Sequence, residues 1–182
     1  MSERDARFAQ IETARLLCEP VRGEHASAMF PVLSDARLYA HMPGGPPESV
    51  AALEREYAFL AGGRSPDGAQ HWLNWILRLR DSREAIGFTQ ATLRGEGGSI
   101  AYVIGAAHQR RGYAREAVAA LVAHLFEVWG VARLQAEIHF DNRASAGLAQ
   151  RLGFLHARKD FAENDDIFEL TRAAWLARSP LR

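Results

Sequence analysis

The most constraining feature of this sequence is a change of hydrophobic period in its second half. Residues 99–106 and 133–140 are predicted strands, and the second alternates apolar and polar side chains strictly. Between them, apolar side chains recur at steps of three and four from Ala114 to Trp129, which predicts a long amphipathic helix ending at Gly130. A strand–helix–strand unit is a crossover connection, so we predict that its two strands are parallel and adjacent.

The region before this unit predicts three short strands joined by tight connections. Residues 71–80 alternate apolar and polar side chains, which is the pattern of a half-buried strand. A second strand over 85–93 follows a short polar turn, and a glycine-rich turn over 95–98 leads into the strand over 99–106. Connections this short join antiparallel neighbours, so we predict a meander.

The rest of the chain completes an α+β layer fold. Residues 41–47 contain three prolines and two glycines, so they predict a loop. The remaining patterns predict strands over 14–21, 154–159 and 167–171, and helices over 24–33, 50–60 and 144–152. We therefore expect a single domain over residues 1–182, built on a mixed, mostly antiparallel sheet with helices on both faces.

The composition argues against several classes of protein. The chain has 22 basic and 22 acidic residues, so it lacks the basic excess that is typical of nucleic-acid binders. No stretch of about 18 apolar residues occurs, so we expect no membrane span. The polar start over residues 1–10 lacks the apolar segment of a secretory signal, and we therefore expect a cytoplasmic protein.

The sequence also argues against a metal site and against a disulfide. Cys18 is the single cysteine, so neither an internal disulfide nor a cysteine-rich zinc site can form. The seven histidines are scattered, and no H-E-x-x-H motif occurs. We therefore expect no bound metal, and we interpret Cys18 as a small strand residue rather than a nucleophile.

The segment that most suggests a binding site follows the strand over 99–106. Residues 109–114 are Gln-Arg-Arg-Gly-Tyr-Ala, and the long helix begins inside this run. Backbone N–H groups at a helix start favour anions, Gly112 permits a close approach to the backbone, and Arg110 and Arg111 add positive charge. The pattern predicts a phosphate cradle, and the alternative is an ordinary turn with surface arginines. It matches neither the P-loop nor the dinucleotide motif.

These residues resemble the signature of the GNAT acyltransferase superfamily. The run over 109–114 matches its Q/R-x-x-G-x-G/A motif, and residues 112–117 resemble the longer form "G-y-A-t-E-A". Residues 141–145 and 151–154 resemble the downstream "N-x-x-S … k-l-G-F" block. The resemblance covers about residues 13–176 and is greatest for the subgroup of ribosomal-protein N-terminal acetyltransferases. Shorter matches lie at residues 13–17, at residues 86–87 and at Trp175.

The resemblance implies a GNAT-like acyl-CoA N-acyltransferase fold that binds acetyl-CoA as its cosubstrate. In such proteins a strand end binds the pantetheine arm and the following loop binds the pyrophosphate. The matching strand-end positions are Tyr102, Val103 and Ile104. The matching loop positions are Gln109, Arg110, Arg111, Gly112, Tyr113 and Ala114. Asn142 matches a further cofactor contact, and Ser145 matches a residue near the thioester sulfur.

Two of these assignments have structural alternatives, and the general base is not evident. Asn142 could instead be a helix cap, and Ser145 a small residue of the first helical turn. Residues 147–151 lack the tyrosine that the family often has there, and Ser99 stands where the subgroup often has an acid. We therefore expect deprotonation through solvent, with Ser145 assisting the departing thiolate. Four polar candidates are interpreted as facing solvent, a partner or the groove: His71, His108, Glu137 and His139.

The expected function is acetyl transfer from acetyl-CoA to a primary amine by direct attack in a ternary complex. The amine is a protein N-terminus or a small molecule, and its pocket is expected to be shaped by the loop over 41–47 and the helices over 24–60. An alternative is a non-catalytic CoA-binding module on the same fold. A third hypothesis, nucleic-acid association through surface arginines, conflicts with the zero net charge. We expect a monomer or a homodimer.

Overall fold

A computed structural model gives the fold over residues 8–178, and the remaining residues at each end lie outside the described part. The expectation about residues 1–10 therefore falls mostly outside it. The strands are β1 (Ile11–Glu12), β2 (Leu16–Pro20), β3 (His71–Leu79), β4 (Ala85–Arg94), β5 (Gly97–Ile104), β6 (Arg133–His139), β7 (Leu155–Asp160) and β8 (Asp165–Thr171). The α-helices are α1 (Ala26–Leu33), α2 (Val50–Leu60), α3 (Tyr113–Glu127), α4 (Arg143–Leu152) and α5 (Arg172–Ala177). Short 3-10 helices cover Gly23–His25, Ala36–His41 and Ala106–His108.

The strands form one eight-stranded sheet in the order β1-β2-β3-β4-β5-β6-β8-β7. Neighbouring strands are antiparallel except for β5 and β6, which are parallel and are connected through α3. The predicted parallel crossover is therefore confirmed, and so is the antiparallel meander before it. The connection needs a helix because parallel strands cannot be joined by a tight turn.

Helices cover both faces of the sheet, as the sequence predicted. On one face α3 packs the apolar stripe of its sequence against the strands, and Leu121, Val122 and Leu125 are each at most 1% exposed. On the other face α1 and α2 form a smaller cluster that includes Met29 and Leu53. Each fully buried aliphatic side chain contributes about 1.5–3 kcal/mol, so the α3 stripe alone is a large part of the stabilisation of this face.

Several predicted boundaries differ from the observed ones by about two residues, and two of them flank the loop after β5. The strand predicted over 99–106 runs from Gly97 to Ile104, because Arg94 pairs with Gly97 and leaves only a two-residue connection between β4 and β5. Gly97 and Gly98 therefore pair with β4, and the chain after Ile104 continues into a 3-10 helix. Helix α3 ends at Glu127, earlier than the apolar periodicity predicted, because the hydrophobic residue Trp129 packs beyond the last turn.

A cluster of charged side chains is buried beneath the start of α1. Glu19 on β2 is 8% exposed, and His25 is 2% exposed. The Glu19 carboxylate accepts a hydrogen bond from Arg78 Nε at 3.0 Å and lies 3.3 Å from Arg83 Nη2. His25 Nδ1 accepts from the backbone N–H of Arg22, so the neutral ring carries its proton on Nε2 and donates it to Glu19 at 3.2 Å. This network joins the chain before α1 to β2 and β3.

Candidate active site

The central strands β5 and β6 separate towards their carboxyl ends. Their pairing covers three residue pairs, from Gly97 with Arg133 to Ser99 with Gln135, although both strands continue for several residues. We call the gap between residues 100–104 of β5 and 136–139 of β6 the splayed groove. The separation leaves one edge of β5 without its neighbouring strand in the middle of the sheet.

The register decides which backbone groups of β5 point into the splayed groove. Gly105 N–H donates to the Ile86 carbonyl on the β4 side, whereas the Glu96 carbonyl accepts from Ala132 N–H on the β6 side. Backbone groups alternate between the two edges of a strand, so those of Tyr102 and Ile104 point towards the groove. The backbone of Val103 points towards β4, where its carbonyl lies so close to Gly87 that a side chain there would collide with it.

The loop after β5 has the geometry of an anion cradle. Gly112 is the N-cap of α3 at φ +84°, a conformation that glycine adopts without strain, and Arg110 is also left-handed at φ +62°. The turn exposes Arg110, Arg111 and Gly112 to solvent at the N-terminus of a fifteen-residue helix. Gln109 Nε2 donates to the Ile104 carbonyl at 3.0 Å and thereby anchors the loop to the strand end. The N–H groups of the first helical turn are therefore available to a phosphate.

An acidic side chain in the first turn of α3 holds this loop against the opening strand. Glu116 accepts hydrogen bonds from Thr13 Oγ1 at 2.6 Å, from Arg15 N–H at 2.7 Å and from Arg15 Nε at 2.7 Å. Arg15 in turn donates through Nη1 to the Arg111 carbonyl at 3.0 Å and lies over the Tyr113 ring. Partial burial raises the pKa of Glu116, but the hydrogen bonds from Thr13 and Arg15 outweigh it and hold the pKa below its ordinary value. The carboxylate is therefore ionised at neutral pH.

Replacing Glu116 by Gln should loosen the loop without unfolding the protein. The amide can still accept from Thr13, but the charge-assisted contact with Arg15 is lost, and the half-exposed Arg15 limits the cost to about 1–2 kcal/mol of unfolding free energy. Urea unfolding and calorimetric titration with acetyl-CoA measure the two effects. Glu127→Gln, an exposed change in the last turn of the same helix, is the matched control. Equal acetyl-CoA affinity in the Glu116 variant and wild type would contradict this role.

The start of α4 borders the other side of the splayed groove. Asn142 is the N-cap of α4, and its Oδ1 accepts from Ser145 N–H at 3.1 Å. The capping alternative for Asn142 is therefore what the structure shows, and it leaves the side-chain NH2 group outside this bond. Tyr102 projects from β5 nearby, and burial raises the pKa of its phenol, while Ser145 and the positive charge of Arg151 oppose that shift. The structure thus brings Tyr102, Asn142 and Ser145 together at the mouth of the groove.

Comparison with known proteins agrees with this geometry. Residues 15–155 match the sequence pattern of the Acetyltransferase (GNAT) domain. The chain belongs to the GNAT acetyltransferase family. The enzyme is 25% identical over 150 residues to YoaA, an uncharacterized N-acetyltransferase of Bacillus subtilis, and the match covers 81% of this chain and 83% of YoaA. Members of this family use acetyl-CoA, so the chain is an acetyl-CoA-dependent acetyltransferase.

Solved structures share the fold of this acetyltransferase. A GNAT-family acetyltransferase from Bacillus anthracis superimposes with a TM-score of 0.77 at 16% identity, covering 91% of this chain and 99% of that one. The ribosomal-protein-S5-alanine acetyltransferase of Vibrio fischeri superimposes with a TM-score of 0.76 at 16% identity, covering 92% and 98% respectively. At this level of identity the likeness concerns the fold, and it confirms the predicted mixed α+β architecture.

The candidate bases lie in different parts of the acetyltransferase. His71 begins β3 opposite Leu93, at the far end of the sheet from the splayed groove, which excludes it as a base there. His108 lies 3.5 Å from Glu84, outside the groove. His139 ends β6 at the groove, but its Nδ1 accepts from Asp141 N–H at 3.2 Å, so the neutral ring carries its proton on Nε2.

A pair of stacked rings brings the predicted acceptor loop to the groove. His41, at the end of the 3-10 helix Ala36–His41, stacks on His139 with ring centroids 5.4 Å apart. The segment that ends at His41 therefore lies beside the end of β6. Ala101 of β5 is exposed although it lies on a central strand, so no helix among residues 8–178 covers that part of the sheet.

The single cysteine is not suited to covalent catalysis. Cys18 is 1% exposed on β2, and burial, aided by the negative charge of Glu116, raises the pKa of its thiol to about 12. A thiol with such a pKa is almost entirely protonated at neutral pH and is a poor nucleophile. The interpretation of Cys18 as a small strand residue therefore agrees with its surroundings.

Within residues 8–178, no three metal-ligating side chains lie together, and none of the helices has both the length and the hydropathy of a membrane span.

Sequence reasoning missed Arg15 and Glu116 as residues that position the loop. Both were visible as parts of the family resemblance, at the opening strand and in the run over 112–117, but their contact joins residues about a hundred positions apart. No local pattern predicts that contact.

Proposed function

We propose that this acetyltransferase transfers the acetyl group of acetyl-CoA to a primary amine by direct attack in a ternary complex. The single observation that carries the proposal is the splayed groove between β5 and β6, which opens onto the cradle over residues 109–114. A groove of this kind accepts an extended arm along the free edge of β5 and a phosphate at the start of α3. The proposed site is the one that the family resemblance implied.

The proposed site divides the binding of acetyl-CoA among three groups of residues. Backbone groups of Tyr102 and Ile104 bind the pantetheine arm, and Val103 contributes its side chain. The pyrophosphate binds the loop residues Gln109, Arg110, Arg111, Gly112, Tyr113 and Ala114. The side-chain NH2 group of Asn142 is proposed to donate to the pantetheine from the opposite side of the groove.

The proposed chemistry needs few protein groups. An α-amino group has a pKa of roughly 7.7–8.0, so a large share of it is protonated at neutral pH and must lose a proton before it attacks. We assign the acceptance of that proton to water in the open groove, as expected from the sequence. The N–H of Ile104 is proposed to stabilise the negative charge on the carbonyl oxygen, and the Ser145 hydroxyl the charge on the departing sulfur.

The acceptor is proposed to be either a protein N-terminus or a small-molecule amine. The Vibrio fischeri neighbour modifies the alanine of ribosomal protein S5, as its name states, and this supports including N-terminal peptides in a test. The two classes are separated by an assay in which the enzyme and acetyl-CoA are incubated with a panel of amines. The panel contains peptides with N-terminal Ala or Ser, aminoglycosides and simple primary amines. Release of the CoA thiol that depends on one amine class identifies the acceptor.

A non-catalytic CoA-binding module on the same fold is the second candidate. It is favoured by Ser99, which stands where the subgroup often has an acid, and by the absence of tyrosine from residues 147–151. Acetyl-CoA binding without thiol release for any amine of the panel would support this candidate and contradict the enzyme proposal. Binding alone does not distinguish the two.

Replacing Ser145 by Ala should lower kcat about ten- to a hundredfold with little change in acetyl-CoA affinity. A hydrogen bond to a charged group contributes about 1.5–3 kcal/mol, which corresponds to that range of rate. Steady-state kinetics with the amine identified by the panel measures kcat. Ser82→Ala, an exposed change in the turn between β3 and β4, is the control. An unchanged kcat under conditions where chemistry limits the rate would leave Ser145 as a helix-start residue.

A further inference from the structure

The guanidinium of Arg15 borders the cradle over residues 109–114, although Arg15 precedes β2 and lies about a hundred positions away in the chain. Its Nη2 atom is 3.3 Å from the point that a Cβ atom of residue 112 would occupy. Apart from the chain neighbours of Gly112, no other atom of residues 8–178 lies within 4 Å of that point. The absence of a side chain at Gly112 therefore leaves a space with Arg15 at its edge.

Three contacts fix the orientation of this guanidinium. Arg15 Nε donates to Glu116 Oε2 at 2.7 Å, and Nη1 donates to the Arg111 carbonyl at 3.0 Å. The group also lies over the Tyr113 ring, with Cζ 4.5 Å from the ring centroid. Because a guanidinium is planar, holding two of its nitrogens also fixes the position of the third.

Nη2 is the nitrogen that these contacts leave available to a ligand. No atom of residues 8–178 accepts a hydrogen bond from it, whereas Nε and Nη1 both have acceptors. The Arg15 side chain is half exposed, so an anion can reach Nη2 from solvent. Guanidinium N–H groups match the oxygens of a phosphate in geometry and in charge. Nη2 is therefore a pre-oriented donor for a phosphate oxygen.

The charges around Arg15 favour an anion at this place. Glu116 is ionised and pairs with Nε, but Arg110 and Arg111 are exposed in the same turn. Three positive side chains against one carboxylate leave a local positive excess, although the whole chain has zero net charge. Such an excess attracts and holds a negatively charged ligand.

We propose that Arg15 binds the pyrophosphate of acetyl-CoA directly through Nη2. The inference rests on the proposed function, because that function places the pyrophosphate on residues 109–114. An oxygen that enters the space beside Gly112 comes within hydrogen-bonding reach of Nη2. The inference adds a charged ligand from the segment before β2, whereas the family resemblance implied that the loop alone holds the pyrophosphate.

Comparison of Arg15→Gln with Glu116→Gln separates direct binding from positioning of the loop. Arg15→Gln should weaken acetyl-CoA binding about ten- to a hundredfold, because a charge-assisted hydrogen bond to phosphate is lost. Glu116→Gln loosens the loop but keeps the charge of Arg15, so its loss of affinity should be at least about fivefold smaller. Isothermal titration at low ionic strength measures both affinities, with circular dichroism to confirm folding. Equal losses in the two variants would show that Arg15 only positions the loop and would overturn the proposal.

The matched control for the lost charge is Arg80→Gln. Arg80 is exposed to nearly the same extent as Arg15 and also contacts the segment before β2, donating from Nη1 to the Thr13 carbonyl at 2.9 Å. Its ion-pair partner is Glu12, at 3.5 Å. The affinity of Arg80→Gln for acetyl-CoA should stay within about twofold of wild type, because only a screened long-range attraction is lost. A loss as large as that in Arg15→Gln would overturn the assignment of a direct contact.

A second ligand identifies the phosphate that Arg15 contacts. Acetyl-dephospho-CoA keeps the pyrophosphate and lacks the 3′-phosphate. Arg15→Gln should lower the affinities for acetyl-CoA and acetyl-dephospho-CoA by the same factor, within about twofold, because the 3′-phosphate is then an independent contact. A loss confined to acetyl-CoA would place Arg15 on the 3′-phosphate and overturn the proposal. Tight binding of acetyl-CoA by Gly112→Asp would instead show that the proposed cofactor site itself is wrong.

Discussion

Replacing Gly112 by Asp is expected to weaken acetyl-CoA binding by at least about a hundredfold. At the proposed site an aspartate carboxylate here would lie beside the pyrophosphate, and two like charges about 4 Å apart repel by roughly 4 kcal/mol at a protein surface. The left-handed backbone of Gly112, at φ +84°, adds strain for any residue with a side chain. A hundredfold loss needs only about 2.7 kcal/mol, so repulsion by itself accounts for it. Isothermal titration of folded protein with acetyl-CoA measures the effect.

Gly130→Asp separates the binding effect from the backbone strain. Gly130 also has a left-handed φ, +69°, with nothing within 4 Å of an added side chain, and it lies beyond the opposite end of α3. Both variants should lose similar unfolding free energy, but only Gly112→Asp should lose affinity. Gly112→Ala introduces the strain without the charge and should fall between wild type and Gly112→Asp. Tight binding by Gly112→Asp would show that the pyrophosphate binds elsewhere.

The largest loss of stability is expected from Glu19→Ala. This change leaves the buried Nε2–H of His25 and the Nε–H of Arg78 without their acceptor, and removal of one partner from a buried ion pair costs about 3–5 kcal/mol. Because a domain of this size has about 5–15 kcal/mol of stability in total, such a loss is a large share of it. Urea unfolding monitored by circular dichroism measures the change.

Glu24→Ala provides the matched control for Glu19→Ala. Glu24 also pairs with an arginine, at 2.9 Å from Arg22 Nε, but both side chains are more than half exposed. Exposed pairs contribute about 0–1 kcal/mol, so Glu24→Ala should change the unfolding free energy very little. A loss in Glu19→Ala no larger than that in Glu24→Ala would mean that the buried network contributes no more than a surface pair.

The same network predicts that the protein loses stability on acidification. Burial lowers the pKa of His25 from the ordinary value of 6.5, and the contact with Glu19 does not compensate. As the pH falls, the unfolded chain therefore takes up a proton at His25 before the folded chain does. The contribution of His25 to the unfolding free energy is complete above pH 6.5 and decreases below it. Burial raises the pKa of Glu19, but the hydrogen bonds from Arg78 and His25 outweigh burial and hold the pKa below its ordinary value of 4.5. The contribution of Glu19 to the unfolding free energy is therefore lost progressively as the pH falls below about 4.5.

A histidine variant isolates the first part of that pH dependence. His25→Gln can still accept from Arg22 N–H and donate to Glu19, but it does not titrate. Between pH 7.5 and 5 the variant should therefore lose less unfolding free energy than wild type does. Unfolding curves at several pH values supply the comparison. Parallel losses in the two proteins would assign the pH dependence to other groups.

Much of the fold could be predicted because its signals are local. The apolar stripe of α3, the strict alternation of β6 and the Ser49 side chain that caps α2 each depend on residues within a few positions of one another. The two-residue connection between β4 and β5 was predicted less well, because glycines favour both a turn and an extended strand end. Only pairing with β4 places Gly97 and Gly98 in the ladder.

The sequence by itself determined the family, the order of the elements and the chain positions of the proposed cofactor site. These follow from short motifs and from periods set by backbone geometry. The tertiary structure decided that Glu116 holds Arg15 against the loop and that β5 and β6 separate after three residue pairs. It also placed His71 at the end of the sheet opposite the splayed groove. Such contacts depend on strand register and on crossings between residues far apart in the chain, and no local spacing encodes them.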